Sequence, residues 1–180
     1  LTYQYHALFT LFLQQQAKKQ RSDIEWNALV LASAHALADD QRIEEAVALF
    51  VMAQAWQPAT LLIVTHAQAL LRLGRWQTVQ RWIVSLPESF RATTPWLRFW
   101  LGMCRLHVDP LKARQDLEPA FALFEERSEG VGQALAAAGI NEAHMLEWID
   151  YSRLDPGIAV LEKLLARADI ALPSLETELA

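Results

Sequence analysis

Apolar residues return every third or fourth position along most of this chain, the period that sets one face of an α-helix against a core. Residues 3–19 carry Tyr5, Leu8, Phe9, Leu11, Phe12 and Leu13, then a polar run ending in Lys18, Lys19 and Arg21, basic where a helix C-terminus favours it. Ser22 or Asp23 can cap a second helix reaching residue 38, with Glu25 in its first turn. Asp39, Asp40 and Gln41 predict a turn, and residues 43–56 the return helix. Pro58 closes that hairpin and suits the first turn of the next helix, 60–73, which stops at Gly74 in position for a left-handed C-cap. A return helix over 78–86 is limited by Pro87, and Thr93 or Thr94 with Pro95 opens a helix to residue 107. Val108-Asp109-Pro110 predicts a turn, because the residue before proline is pushed out of helical geometry. Residues 111–127 continue as a helix with Leu117, Ala120, Phe121 and Phe124 as its inner stripe, and Pro119 is expected to kink or break it near Glu118. The helix over 130–150 is rich in small residues (Ala134, Ala136, Ala137, Ala138, Gly139), which permits close helix approach. Leu154-Asp155-Pro156 starts a last strong helix, and residues 173–180 add a further turn or two. No alternating pattern bounded by turns occurs, so the predicted fold is all-α, about nine helices with no sheet.

One helix-pair pattern occurs twice. Ala34, Leu37, Ile43, Ala46, Phe50, Ala53 and Pro58, shifted by 33 residues, become Ala67, Leu70, Trp76, Val79, Ile83 and Leu86, without the closing proline. Self-similarity at this period marks stacked helical hairpins, each burying its apolar face only against its neighbours. The expected architecture is a right-handed superhelical stack of antiparallel hairpins, an α-solenoid, forming one domain over residues 1–180. Residues 27–91 resemble the tetratricopeptide repeat, departing from it at Gln41, where a glycine usually stands, and at Val79, where a small residue does.

From Pro95 onward the spacing changes. The run Pro95-Trp96-Leu97-Arg98-Phe99-Trp100-Leu101-Gly102, then Asp109-Pro110, then Ala120-Phe121-Ala122-Leu123-Phe124, is similar to a segment of bacterial signal-transduction ATPase regulators. Glu147-Trp148-Ile149-Asp150 and Leu154-Asp155 extend the likeness, which covers residues 95–168 as divergent helical pairs. These are large transcription regulators of the maltose-regulator and LuxR-like kind. The resemblance implies a repeat region that senses an inducer or a partner protein, with the ATPase and DNA-binding parts elsewhere. The chain opens at Leu1 inside a helical pattern, so it is expected to be a piece of such a longer protein.

Charge is uneven. Residues 1–58 hold four basic and six acidic side chains, residues 59–108 six and one, and residues 109–180 six and fourteen. The basic middle (Arg72, Arg75, Arg81, Arg91, Arg98 and Arg105 against Glu88) can form a surface for an anion or an acidic partner. The plainer reading is that these arginines pair with acids of neighbouring helices and cover apolar surface with their stems. Overall acidity disfavours nucleic acid. Cys104, the only cysteine, lies in an apolar run and reads as a buried thiol, so no intrachain disulfide or cysteine-based zinc site can form. With no signal peptide and no 18-residue apolar span, the expected location is cytoplasmic and away from the membrane.

No phosphate-binding or dinucleotide loop and no H-E-x-x-H occurs. Glu142, His144 and Glu147 are the nearest metal-like grouping, but their spacing leaves at most two on one face. Catalytic residues, cofactor and metal are therefore not expected. Most of the seven tryptophans read as core; Trp96 and Trp100, four apart, are the best candidates for an exposed aromatic element. The first helix of each pair lines the concave face of such stacks. That register places Leu31, His35 and Ala38 there in one pair, and Val64, Gln68 and Arg72 in the next, with Arg98 and Arg105 extending the line. The partner-binding set is thus His35, Val64, Gln68, Arg72, Trp96, Arg98 and Arg105, facing a protein, a peptide or a small effector, with self-association left open. The expected function is a non-enzymatic sensor or protein-interaction domain of a transcriptional regulator. Its rivals are a structural spacer between ATPase and DNA-binding domains and an uncharacterised helical enzyme.

Overall fold

The computed structural model describes residues 12, 15–147, 152 and 154–166. The expectations for most of the first helix, for Trp148 and for residues 173–180 lie outside them. Among the described residues the secondary structure is helical, with no strand, as the periodicity predicts. Residues 15–19 are helical, and nine further helices follow: α1 (Asp23–Asp39), α2 (Ile43–Met52), α3 (Trp56–Arg72), α4 (Trp76–Val84), α5 (Glu88–Thr93), α6 (Pro95–Arg105), α7 (Pro110–Glu126), α8 (Gly130–Glu147) and α9 (Leu154–Leu165). None of the described helices is long and apolar enough to cross a membrane. The chain divides into two compact units, residues 1–59 and 60–180, and the division falls inside α3.

In the first unit α1 and α2 form an antiparallel hairpin. Ser22 and Glu25 make a full capping box: the Ser22 hydroxyl oxygen accepts from the Glu25 N–H, and a Glu25 carboxylate oxygen accepts from the Ser22 N–H at 2.9 Å. Val30 and Ala34 of α1 and Ala46, Val47 and Phe50 of α2 are buried. The small alanines sit where the two helices approach, and Phe50 fills the space beside them.

The turns explain where the helices stop. After α1 the Gln41 N–H donates to the Ala38 carbonyl and the Arg42 N–H to that of Leu37. After α3 the Gly74 N–H donates to Leu71 and the Arg75 N–H to Leu70, the same two bonds displaced by 33 residues. This is the Schellman termination, which satisfies the last helical carbonyls and requires a left-handed residue. Gln41 (φ 60°) and Gly74 (φ 72°) both supply it. The offset also maps the first and last residues of α1 onto those of α3, so the sequence repeat is a repeat of structure at the level of the element and its turn. Gln54 (φ 56°) and Ser128 (φ 57°) close α2 and α7 with the same bonds.

Several boundaries differ from the pattern. The return helix expected over 43–56 ends at Met52, because Gln54 takes the left-handed conformation and starts α3 four residues earlier than expected. Pro58 still falls in the first turn of α3, where its missing N–H has no helical partner to lose. The short helix α5 occupies a stretch that carried no periodic signal; Pro87 sits at its N-cap position. Helix α7 runs through Pro119 without the break that is one of the two expected outcomes.

In the second unit Pro95 opens α6 and Pro110 opens α7 as their first residues, and the Asp109 side chain caps α7 by accepting from the Lys112 N–H at 3.1 Å. Helix α6 packs on α4, α5, α7 and α8, and α8 packs on α7 and α9. Phe99, Leu106, Ala113, Leu117, Ala120, Phe124, Ala136 and Ala143 form the main core, with Trp96, Trp100 and Met103 packed against it. Three of the four residues of the expected α7 stripe are fully enclosed, and Phe121 is half-buried. Gly132 lets α8 meet α7: a Cβ there would lie 2.4 Å from the Phe124 ring. Arg114 ties the same two helices, donating from Nε to Glu147 Oε1 at 2.9 Å.

Candidate functional site

Within the second unit the end of α3, with α4, α6 and α8, borders a cavity of about 390 Å³. Each wall is one helical stripe. Leu135, Ala138, Gly139 and Glu142 follow the i, i+3, i+4, i+7 spacing along α8. Phe99, Trp100, Met103 and Cys104 come from adjoining turns of α6, Trp76 from the start of α4, and Gln68, Leu71 and Arg72 from the end of α3. Between Leu135 and Glu142 the α8 wall of the cavity carries only the small residues Ala138 and Gly139. Gly139 itself leans on the core, since a Cβ there would meet Leu117 Cδ1 at 3.1 Å and Met103 Sδ at 3.3 Å. Ala138 therefore sets the free width.

The walls are mainly apolar, with few polar groups. Gln68 is half-buried and Arg72 exposed; among the described residues neither has a hydrogen-bond or ion-pair partner. On another wall His107 Nε2 lies 3.9 Å from Glu142 Oε1, an ion pair when the imidazole is protonated. The indole N–H of Trp100 is buried without an acceptor. Burial pushes the Cys104 thiol up to about 12, so at neutral pH the sulfur borders the cavity as an unreactive apolar surface. A concave apolar pocket of this volume with a few convergent polar groups has the form of a small-molecule site.

A second, smaller cleft of about 150 Å³ lies between α5, α6 and α7, lined by Glu88, Arg91, Arg98, Arg105 and Asp116. Here Arg105 alone among these three arginines meets an acid of a neighbouring helix, as the plainer charge reading expected. Arg91 pairs with Glu88, Arg105 with Asp116 of the facing helix, and Arg98 Nε donates to the Ala92 carbonyl at 3.0 Å. Burial raises the Asp116 carboxyl above the ordinary aspartate range, and Arg105 and Arg98 only partly counter it.

The predicted partner-binding residues thus separate. Gln68 and Arg72 come together on the apolar cavity, and Arg98 and Arg105 on the polar cleft. Val64 is half-buried on α3 and lines neither. His35 belongs to the first unit, exposed, with its ring 4.9 Å from and edge-on to Phe50. Trp96 and Trp100 are half-buried rather than exposed. Trp96 stands edge-on to Phe124 at 4.9 Å, and its indole N–H donates to Glu129 at 3.0 Å. Glu142 and Glu147, read together as a metal-like grouping, engage His107 and Arg114 respectively. Sequence reasoning missed Trp76, Met103, His107 and Ala138; the small-residue run of α8 was the available signal, and it was read as close packing only. No family model, curated protein or solved structure matches this chain.

Proposed function

We propose that this chain is a non-enzymatic effector-binding domain of the tetratricopeptide-like kind, built as a right-handed superhelical stack of hairpins and serving a cytoplasmic bacterial transcriptional regulator. The observation that carries the reading is the apolar cavity bounded by α3, α4, α6 and α8, with Gln68 and Arg72, which have no partner among the described residues, on its wall. The identical terminations at Gln41 and Gly74 support the repeat, and the landmarks from Pro95 to Asp155 support the regulator. A small molecule held among four helices gives such a domain a means of sensing, because a ligand that binds only the folded state shifts its conformational equilibrium.

The test is a thermal-shift screen of small apolar compounds against the wild-type chain and Ala138→Phe, which fills the cavity. A true ligand at a hundredfold excess over its Kd stabilises by about 2.7 kcal/mol, roughly 5–10 °C for a chain of this size. Wild type should gain this and Ala138→Phe should not. Stabilisation that persists in Ala138→Phe removes the cavity from the function. A screen with no stabilising compound leaves the spacer role as the better reading.

A further inference from the structure

We propose that the cavity takes an apolar monocarboxylate, its carboxylate held by Gln68 and Arg72 and its body lying against Trp76, Phe99, Trp100 and Met103. This rests on the cavity being a ligand site. The charge inventory of its walls points to the class. The His107 and Glu142 side chains face each other at 3.9 Å and pair when the imidazole is protonated. Arg72 is left as a cation with no partner among the described residues. Gln68 precedes it by one helical turn, and side chains four apart on a helix are neighbours, about 6 Å between Cβ atoms. An amide N–H and a guanidinium on one face can both donate to the two oxygens of a single carboxylate. One guanidinium matches one negative charge, and Glu142 on the wall disfavours a second. Apart from the Trp100 indole N–H, the remaining walls offer aromatic and thioether surface, against which a polar body would lose its hydrogen bonds.

The experiment titrates the full 180-residue chain with 4-phenylbutyrate and with its uncharged counterpart 4-phenylbutan-1-ol, following tryptophan fluorescence and heat. Wild type should bind the acid about fivefold more tightly than the alcohol, the scale of a solvent-accessible charge pair. Arg72→Gln should bring the acid down to the alcohol's affinity and leave the alcohol unchanged, and Ala138→Phe should abolish both. Equal affinities in wild type, or an acid preference that survives Arg72→Gln, overturn the carboxylate assignment while the cavity reading stands. Undiminished binding of both compounds to Ala138→Phe overturns the cavity reading itself. Binding of neither compound to wild type overturns the proposed ligand class; should Ala138→Phe fail to fold, the comparison of acid and alcohol in wild type and Arg72→Gln still decides.

Discussion

Replacing Gly132 by alanine sets two effects of opposite sign against each other. Alanine is the better helix former, and the exchange favours folding by up to about 1 kcal/mol, less in a first turn such as this one. The added methyl, however, has no room. Its carbon would lie 2.4, 2.4 and 2.8 Å from three atoms of the Phe124 ring, where apolar carbons prefer about 3.5–4.0 Å. The ring is fully buried and held edge-on by Trp96 at 4.9 Å, with Phe99 at 6.5 Å, so it cannot rotate away without displacing the core. Overpacking of this kind costs about 1–3 kcal/mol. The steric loss wins, and Gly132→Ala should be destabilised by about 1–2 kcal/mol, a fall in Tm of roughly 3–6 °C. Urea midpoints at unchanged slope, with melting curves, measure it. Phe124→Leu opens space where the methyl would sit, so the double substitution should be more stable than the sum of the two losses by at least about 0.5 kcal/mol. A Gly132→Ala chain as stable as wild type, or strict additivity in the double variant, refutes the reasoning.

Two further outcomes follow from the turns and from the buried carboxylate. At the left-handed positions Gln41 and Gln54, glycine should raise stability by about 0.5–1 kcal/mol each, the strain relieved minus the entropy gained by the unfolded chain, whereas Gly74→Ala should lower it by a similar amount; melting temperatures that move the other way dismiss the strained-turn account. Asp116, raised by burial above its ordinary 3.8, binds its proton more tightly in the folded chain, so its contribution is full below that value and is lost as pH rises through the elevated one. The stability of wild type relative to Asp116→Asn should therefore decline as pH rises above about 4. The depressed carboxyls of Glu25, Glu45 and Asp109 titrate alike in both chains and cancel. A difference in urea midpoint that grows with pH contradicts the burial argument.

Caps and breakers written into residue type were legible. Ser22 with Glu25, Gly74, Pro95 and Asp109-Pro110 each mark a helix end, and the structure uses them there. The end of α2 was not legible because Gln54 adopts the left-handed conformation without being glycine, and the apolar period simply runs on through Ala53 and Trp56. Helix α5 is too short to show a period. Of the candidate site, Gln68 and Arg72 were reachable from the repeat register. Arg98 and Arg105, placed by extending that register, line the separate polar cleft instead, because α5 intervenes and the offset no longer holds beyond it. The cavity is created by side chains that are missing, Ala138 above all, and a pattern of residue types does not distinguish an alanine under a partner helix from one beside empty space.

Gln41 and Gly74 end their helices with one and the same backbone motif, although one is a long polar residue and the other has no side chain. The segment from Arg42 to Gly74 is therefore a cassette whose two ends are interchangeable. A tandem duplication of it would join left-handed residue to helix start with no junction the chain does not already contain. Unequal exchange between copies could lengthen such an array one hairpin at a time, and Gln54 and Ser128, which close helices with the same turn, show that the joint does not depend on glycine at all.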